Sequence, residues 1–288
     1  MKSTKSSLDI AVDVEAVAAR CPAAFRAKLG GRIEMAAVIV GMASLFVFGL
    51  VQLEFSASRI VGGFGELGQI VSLMLPPDPG SPARVLLYVN ALGETVAIAL
   101  LGTLGAALLA LPIGFLAARN VLPAWLLRFV MRRTLDTFRG IDVLVWALIW
   151  INVVGLGPFA GMLAIICSDL GTFGKLFSEA IEASDDRPVQ GVLASGGSPL
   201  HVIRFGLLPQ VLPVIASQVL YYFESNTRSA TIIGIVGAGG IGLHLSEQIR
   251  TLEWQQVSFL VVMILVSVAI IDLISSRLRF AIIGSTSR

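Results

Sequence analysis

Val143 to Ser168 reads VLVWALIWINVVGLGPFAGMLAIICS, 26 residues without a charged side chain. A bilayer core of about 30 Å needs about 20 helical residues at about 1.5 Å each, so the block is long for one span and short for two. Its centre, Gly155-Leu156-Gly157-Pro158, decides how it is read. Glycine and proline punctuate a chain, and proline suits the first turn of a new helix. The block therefore predicts a hairpin, one span from about Thr137 to Val154 and the next from about Pro158 to Phe177. The first of these takes in Asp142, which is tolerable only at the interface.

The basic residues support the hairpin. With six spans and an N-terminus inside, almost all of the 21 lysines and arginines fall in inside segments, and Arg59, Arg84 and Arg250 fall outside. If the block is a single span, Lys175, Arg187, Arg204, Arg277 and Arg279 move outside and the bias dissolves. Cytoplasmic loops carry the excess of Lys and Arg. The expectation is thus an all-α polytopic protein of the bacterial inner membrane, with six transmembrane helices and both termini cytoplasmic.

Other blocks agree. Met35 to Leu53, Thr95 to Ala118, Phe205 to Phe223 and Trp254 to Ile271 carry no charge. Only 14% of the 288 residues are charged, against about 25% in soluble domains. The expected layout is a cytoplasmic N-terminal segment (1–32), a first transmembrane helix (33–53), a proline-broken periplasmic loop (54–93) and a core (94–288). Span two runs from about Thr95 to Ala117, span five from about Leu208 into the 220s, and span six from about Trp254 to Asp272. Residues 1–32 lack the apolar stretch of a signal peptide.

Charge and motif exclude several functions. A net charge of +2 gives no reason to expect nucleic acid as a partner. Cys21, Cys167, His201 and His244 are isolated, so no metal site is expected. No G-x-x-x-x-G-K-[ST] occurs, and Gly171-Thr172-Phe173-Gly174-Lys175 has the wrong spacing. The chain therefore has no P-loop, and an ATPase must be another chain if one is needed. The run Gly237-Ala238-Gly239-Gly240-Ile241-Gly242 satisfies G-x-G-x-x-G, but it follows a membrane helix and no acidic residue lies about twenty positions on. It reads as a small-residue bend where backbones approach closely. No cofactor and no catalytic residue is expected.

Two segments carry chemistry. Between spans four and five lies a cytoplasmic stretch (178–207). Pro188 can open a short helix bearing Val189, Val192 and Leu193, and Gly196-Gly197 can close it. Ser198-Pro199 can start a second helix that ends before Pro209. The residues leave two readings, an interfacial loop or a docking knob for a cytoplasmic partner. In span five, Glu224 and Arg228 are four apart and can pair, with Asn226 between them. Ionisable groups in a membrane face a partner or a watery path. The pair is either a packing lock or a way-station for an anion.

At these residues the chain resembles a known family. Gln190-Gly191-Val192, then Gly196, then Leu208-Pro209 follow the spacing of the EAA loop of ABC importer permeases. Gln190 replaces the acidic residue, and Gly206 stands where an apolar one belongs. LGPFAG (156–161), SEAIE (178–182), LPQVLP (208–213), FESNTRSAT (223–231) and GAGGIG (237–242) resemble the phosphonate-type permeases, over roughly Gly93 to the C-terminus. The resemblance implies a five-helix type I importer permease core preceded by one extra span. It implies a transport subunit and not an enzyme, with a second copy of itself, two ATP-binding cassette ATPases and a periplasmic binding protein as partners. It implies phosphonate or a related oxyanion as cargo. Phosphite, phosphate or methionine carried by the same machine, a secondary carrier and a membrane-embedded enzyme are the alternatives. Implied ATPase-coupling residues are Gln190, Gly191, Val192, Leu193, Gly196, Gly197, Ser198 and Pro199. The resemblance implies Gly237, Gly239 and Gly240 as part of an outer gate, while position and spacing alone make Glu224, Asn226 and Arg228 the candidates for the translocation path.

Overall fold

The computed structural model describes residues 29–121 and 124–286, so most of the 1–32 segment lies outside the described residues. Among these the regular structure is helical throughout. The chain divides into two compact units, residues 1–69 and 70–288.

The first unit carries α1 (Leu29–Gln52) and most of α2 (Ala57–Leu73). Val38, Leu45, Phe46 and Val51 are all exposed on α1. A helix that is apolar all round is solvated by lipid or by other apolar helices. The 54–93 segment, expected as a proline-broken loop, contains helix. It holds α2 and the first turns of α3 (Pro82–Ala117). The prolines cluster between these helices, and Pro82 opens α3 behind Ser81, whose Oγ accepts the Arg84 N–H at 3.4 Å. Proline at the first turn costs a helix nothing, so Pro82 starts an element instead of breaking one.

The second unit is built on α3 and α6 (Pro158–Glu182). α3 buries Ala91, Thr95, Ala99, Thr103, Ala106 and Ala110 along one face. Gly102 on the same face approaches so closely that an added Cβ would lie 2.8 Å from Ile165 Cβ of α6. Lipid tails are as apolar as leucine, so close backbone packing through small residues holds such helices together.

Between α3 and α6 come α4 (Trp125–Arg139) and α5 (Val143–Val154), bent by 87° to one another. A continuous helix over Thr137–Val154 is therefore corrected: the helix breaks at Gly140 and restarts at Val143. Asp142 caps the restart, its Oδ1 accepting the Leu144 N–H at 2.8 Å. An N-capping carboxylate satisfies an orphan donor, which favours a new helix over a continuous one. α5 rises only about 18 Å, short of a bilayer core. Five described helices are long and apolar enough to cross a membrane, six if the bent pair is one crossing.

After α6 come α7 (Asp186–Ala194), a helical turn at Pro199–His201, a π-helical turn at Val202–Leu207, and α8 (Leu208–Ile235). The helix expected to end before Pro209 instead runs on from Pro199 to Ile235. Proline removes one N–H and its ring presses on the carbonyl four residues back. The wide π turn just before Pro209 supplies the room. α9 (Ile241–Arg250) and α10 (Trp254–Thr286) complete the unit, and α8 lies against both α3 and α10.

Candidate functional site

The segment between α6 and α8 forms an exposed, capped projection. Asp185 caps α7, accepting the Arg187 N–H at 3.0 Å. At the other end the Gly197 N–H reaches Val192 O and the Gly196 N–H reaches Leu193 O, both at 3.0 Å. That is a Schellman closure, with Gly196 at φ +80°. The Ser198 N–H donates to His201 Nδ1 at 3.2 Å, so Ser198 caps the next helical turn, which begins at Pro199. Gln190, Gly191, Leu193, Ser198, Pro199 and Leu200 are exposed, Leu200 at 77%.

The inner side of the projection is fastened to the foot of α8. Gln210 Oε1 accepts the Asp185 N–H at 3.0 Å, and Gln210 Nε2 donates to Asp185 O at 3.1 Å and Gly206 O at 2.6 Å. Val189 and Ile203 pack with Leu207 and Val211. Gly206 explains its departure from the EAA pattern: a Cβ there would meet Val189 Cα at 3.2 Å and its Cγ2 at 3.3 Å. A larger apolar residue would push α7 off the π turn that leads into α8.

Two polar clusters sit on α8. Glu224 is buried, with Oε1 3.5 Å from Arg228 Nη1 and Oε2 3.2 and 3.3 Å from the two Nη atoms of Arg279 on α10. The Arg228 side chain is 52% exposed, whereas Arg279 is mostly covered and also lies 5.9 Å from the Tyr221 ring. Asn226 turns the other way. Its Nδ2 donates to Thr103 Oγ1 of α3 at 2.8 Å and to Asp169 Oδ2 of α6 at 2.5 Å. Asp169 is buried and has no cationic partner among the described residues. The structure thus parts Asn226 from Glu224 and Arg228, which the sequence grouped together.

The glycine run beyond α8 is pinned from two sides. The Gly157 N–H of the α5–α6 turn donates to Gly237 O at 3.0 Å. Thr95 Oγ1 of α3 accepts the Ile241 N–H at 2.8 Å. Gly240 stands at φ +73°, and a Cβ there would collide with Thr95 Oγ1. Gly239 faces Glu94 and the Pro158 nitrogen. The bend is a packed joint among three elements.

Thr103, Asp169 and Arg279 were missed by the sequence reading. Asp169 had a signal, a lone carboxylate inside an apolar span. Arg279 had none, since it is 55 residues from Glu224 and near the chain's end.

Residues 110–285 match the family described as binding-protein-dependent transport system inner membrane component. HtxC of Stutzerimonas stutzeri, assigned as a phosphite transport system permease protein, is 40% identical over 81% of this chain and 81% of its own length. PhnE2 of Escherichia coli (strain K12), assigned to a cryptic phosphonate transport system as a permease protein, is 50% identical over 41% of this chain and 97% of its own. Among solved structures, an inward-facing MetNI methionine ABC transporter chain superposes at a TM-score of 0.61 with 20% identity. The match covers 70% of this chain and 99% of that one. A helical polytopic membrane protein is the class that this fold defines. The chain belongs to the family of binding-protein-dependent transport system inner membrane components. It is a multi-pass inner-membrane transport subunit.

Proposed function

We propose that this chain is the permease of an ATP-driven importer that moves phosphonate, phosphite or a related phosphorus oxyanion handed over by a periplasmic binding protein. The observation that carries the cargo class is the cluster at Glu224. Two guanidiniums share Glu224 there, and Asp272 also stands 4.0 Å from Arg279, so Arg228 is the less firmly held of the two cations. Arg228 is held loosely and is half exposed. It can turn to an anion while Arg279 keeps Glu224 neutralised. A weak, partly compensated cation suits a passage that must also release its cargo. The phosphite and phosphonate assignments of the relatives support the same class.

The projection at Asp186–Leu200 supports a coupling role. Its exposed tip offers Leu193 and Leu200 to a cytoplasmic ATPase, and its inner side is fixed to α8 through Gln210 and Val189. A push on the tip is therefore delivered to the helix that carries Glu224, Asn226 and Arg228. The closure of two ATPases on ATP would swing α8, and the pinned bend at Gly237–Gly240 would act as the outer gate. A second copy of the chain completes the path, and both termini face the cytoplasm. Native mass of the complex and tag accessibility in sealed cells read those two points, and a differing second permease or a periplasmic tag would overturn them.

The test uses one preparation. Arg228→Ala should lower uptake of phosphite or methylphosphonate at least tenfold while the ATPase still co-purifies. Leu200→Asp should release the ATPase and leave the fold intact. If Arg228→Ala transports normally, the way-station is wrong. If Leu200→Asp keeps its ATPase, the docking tip is wrong.

A further inference from the structure

We propose that α4 and the C-terminal end of α6 form a binding site for the headgroup of an anionic phospholipid. A cavity of about 430 Å³ lies between them, lined by Arg119, Arg128, Arg132, Arg133 and Lys175. Against these cations stand the carboxylates of Asp136 and Glu182. Glu182 takes Arg119 at 3.0 Å and Arg132 at 2.5 Å, and Asp136 takes Lys175 at 3.1 Å and Arg133 at 3.4 Å. Arg128 has no carboxylate partner among the described residues. The cavity therefore carries an excess of positive charge, and its complement is an anion.

Which anion is decided by the rim. α4 makes an angle of 87° with α5, so if α5 enters the bilayer, α4 lies along its surface. Trp125 and Phe129 stand exposed at the cavity, and Leu126 and Val130 are exposed on the same helix. Arg133 lies 5.2 Å from the Phe129 ring centroid. A basic amphipathic helix with tryptophan and phenylalanine beside its arginines is built for a membrane interface. Basic pockets beside membrane helices hold acidic headgroups. A free phosphate would use the cations and leave the apolar rim idle. A phospholipid uses both. The inference goes beyond transport and holds whatever the cargo is.

The whole complex in mild detergent, incubated with phosphatidylglycerol or phosphatidylcholine and weighed by native mass spectrometry, tests it. Phosphatidylglycerol should be retained and phosphatidylcholine lost, and excess inorganic phosphate should leave the bound lipid in place. Arg128→Gln with Arg133→Gln should weaken retention about thirtyfold, with an unchanged unfolding midpoint. Trp125→Ser with Phe129→Ser should weaken it too. Equal retention of the two lipids, displacement by phosphate, or undiminished binding by the folded charge variant would overturn the proposal. So would charge variants that shed the ATPase and keep the lipid. If the charge variant does not fold, the competition on the native complex decides alone.

Discussion

Glu224 touches Arg228 one turn along its own helix and Arg279 on α10, and the two contacts differ in kind. Arg279 is mostly covered, and its removal strands most of a buried carboxylate. Breaking one side of a buried pair costs more than the pair contributes. Arg279→Ala is therefore expected to destabilise the protein by about 2–3 kcal/mol. Adding Glu224→Gln to Arg279→Ala should recover much of that loss. The unfolding midpoint in detergent checks both, and a double variant no better than the single would sink the account. Arg228→Ala should cost little stability, because Arg228 is half exposed and meets Glu224 only at 3.5 Å. The i, i+4 spacing made the Glu224–Arg228 contact legible in sequence. Arg279 was not, because only the packing of α10 on α8 brings it there. The partners of Asn226 were not legible either: residues two apart point about 200° apart, and it looks away from Glu224, toward Thr103 and Asp169.

At the scale of the element, α7 packs on the π turn that leads into α8 because a glycine lets them touch. Gly206 departs from the EAA spacing, and Val189 occupies the room that a side chain there would need. Gly206→Leu restores the family residue type and should still weaken coupling. Transport per ATP hydrolysed is expected to fall severalfold, and Val189→Ala should restore part of it. Unchanged coupling in Gly206→Leu would show that the contact carries no force. Turn chemistry made this region readable: Gly196–Gly197 and Ser198–Pro199 end and start helices for local reasons. The passage through Pro209 was not readable. A proline normally closes a helix from behind, and only the π turn at Val202–Leu207 lets the chain continue.

At the scale of the whole molecule, apolar blocks and basic asymmetry were enough to recover a helical polytopic protein, since lipid demands internally bonded backbones. The hairpin was legible in Gly155–Pro158. The break between α4 and α5 was hidden, because Asp142 looked like a cost to a span when it is the cap of a new helix. α2 was hidden by the prolines that follow it. The family match and the superposition with an importer chain agree with the core, while α1 and α2 lie outside the matched residues 110–285.

The brevity of α5 reaches beyond the protein. Val145, Leu148, Ile149 and Val153 are exposed along a helix of 12 residues. Lipid beside them meets only about 18 Å of apolar wall. A bilayer adapts to such a mismatch by thinning, at a fraction of a kcal/mol per Å. The cost grows with chain length of the surrounding lipid. Reconstituted transport should therefore slow as acyl chains lengthen from 14 to 20 carbons (roughly the span of natural membranes), with cargo affinity unchanged. Equal rates in thin and thick bilayers would mean that neighbouring protein, and not lipid, covers that wall. If the dependence holds, membrane thickness itself sets the pace of import.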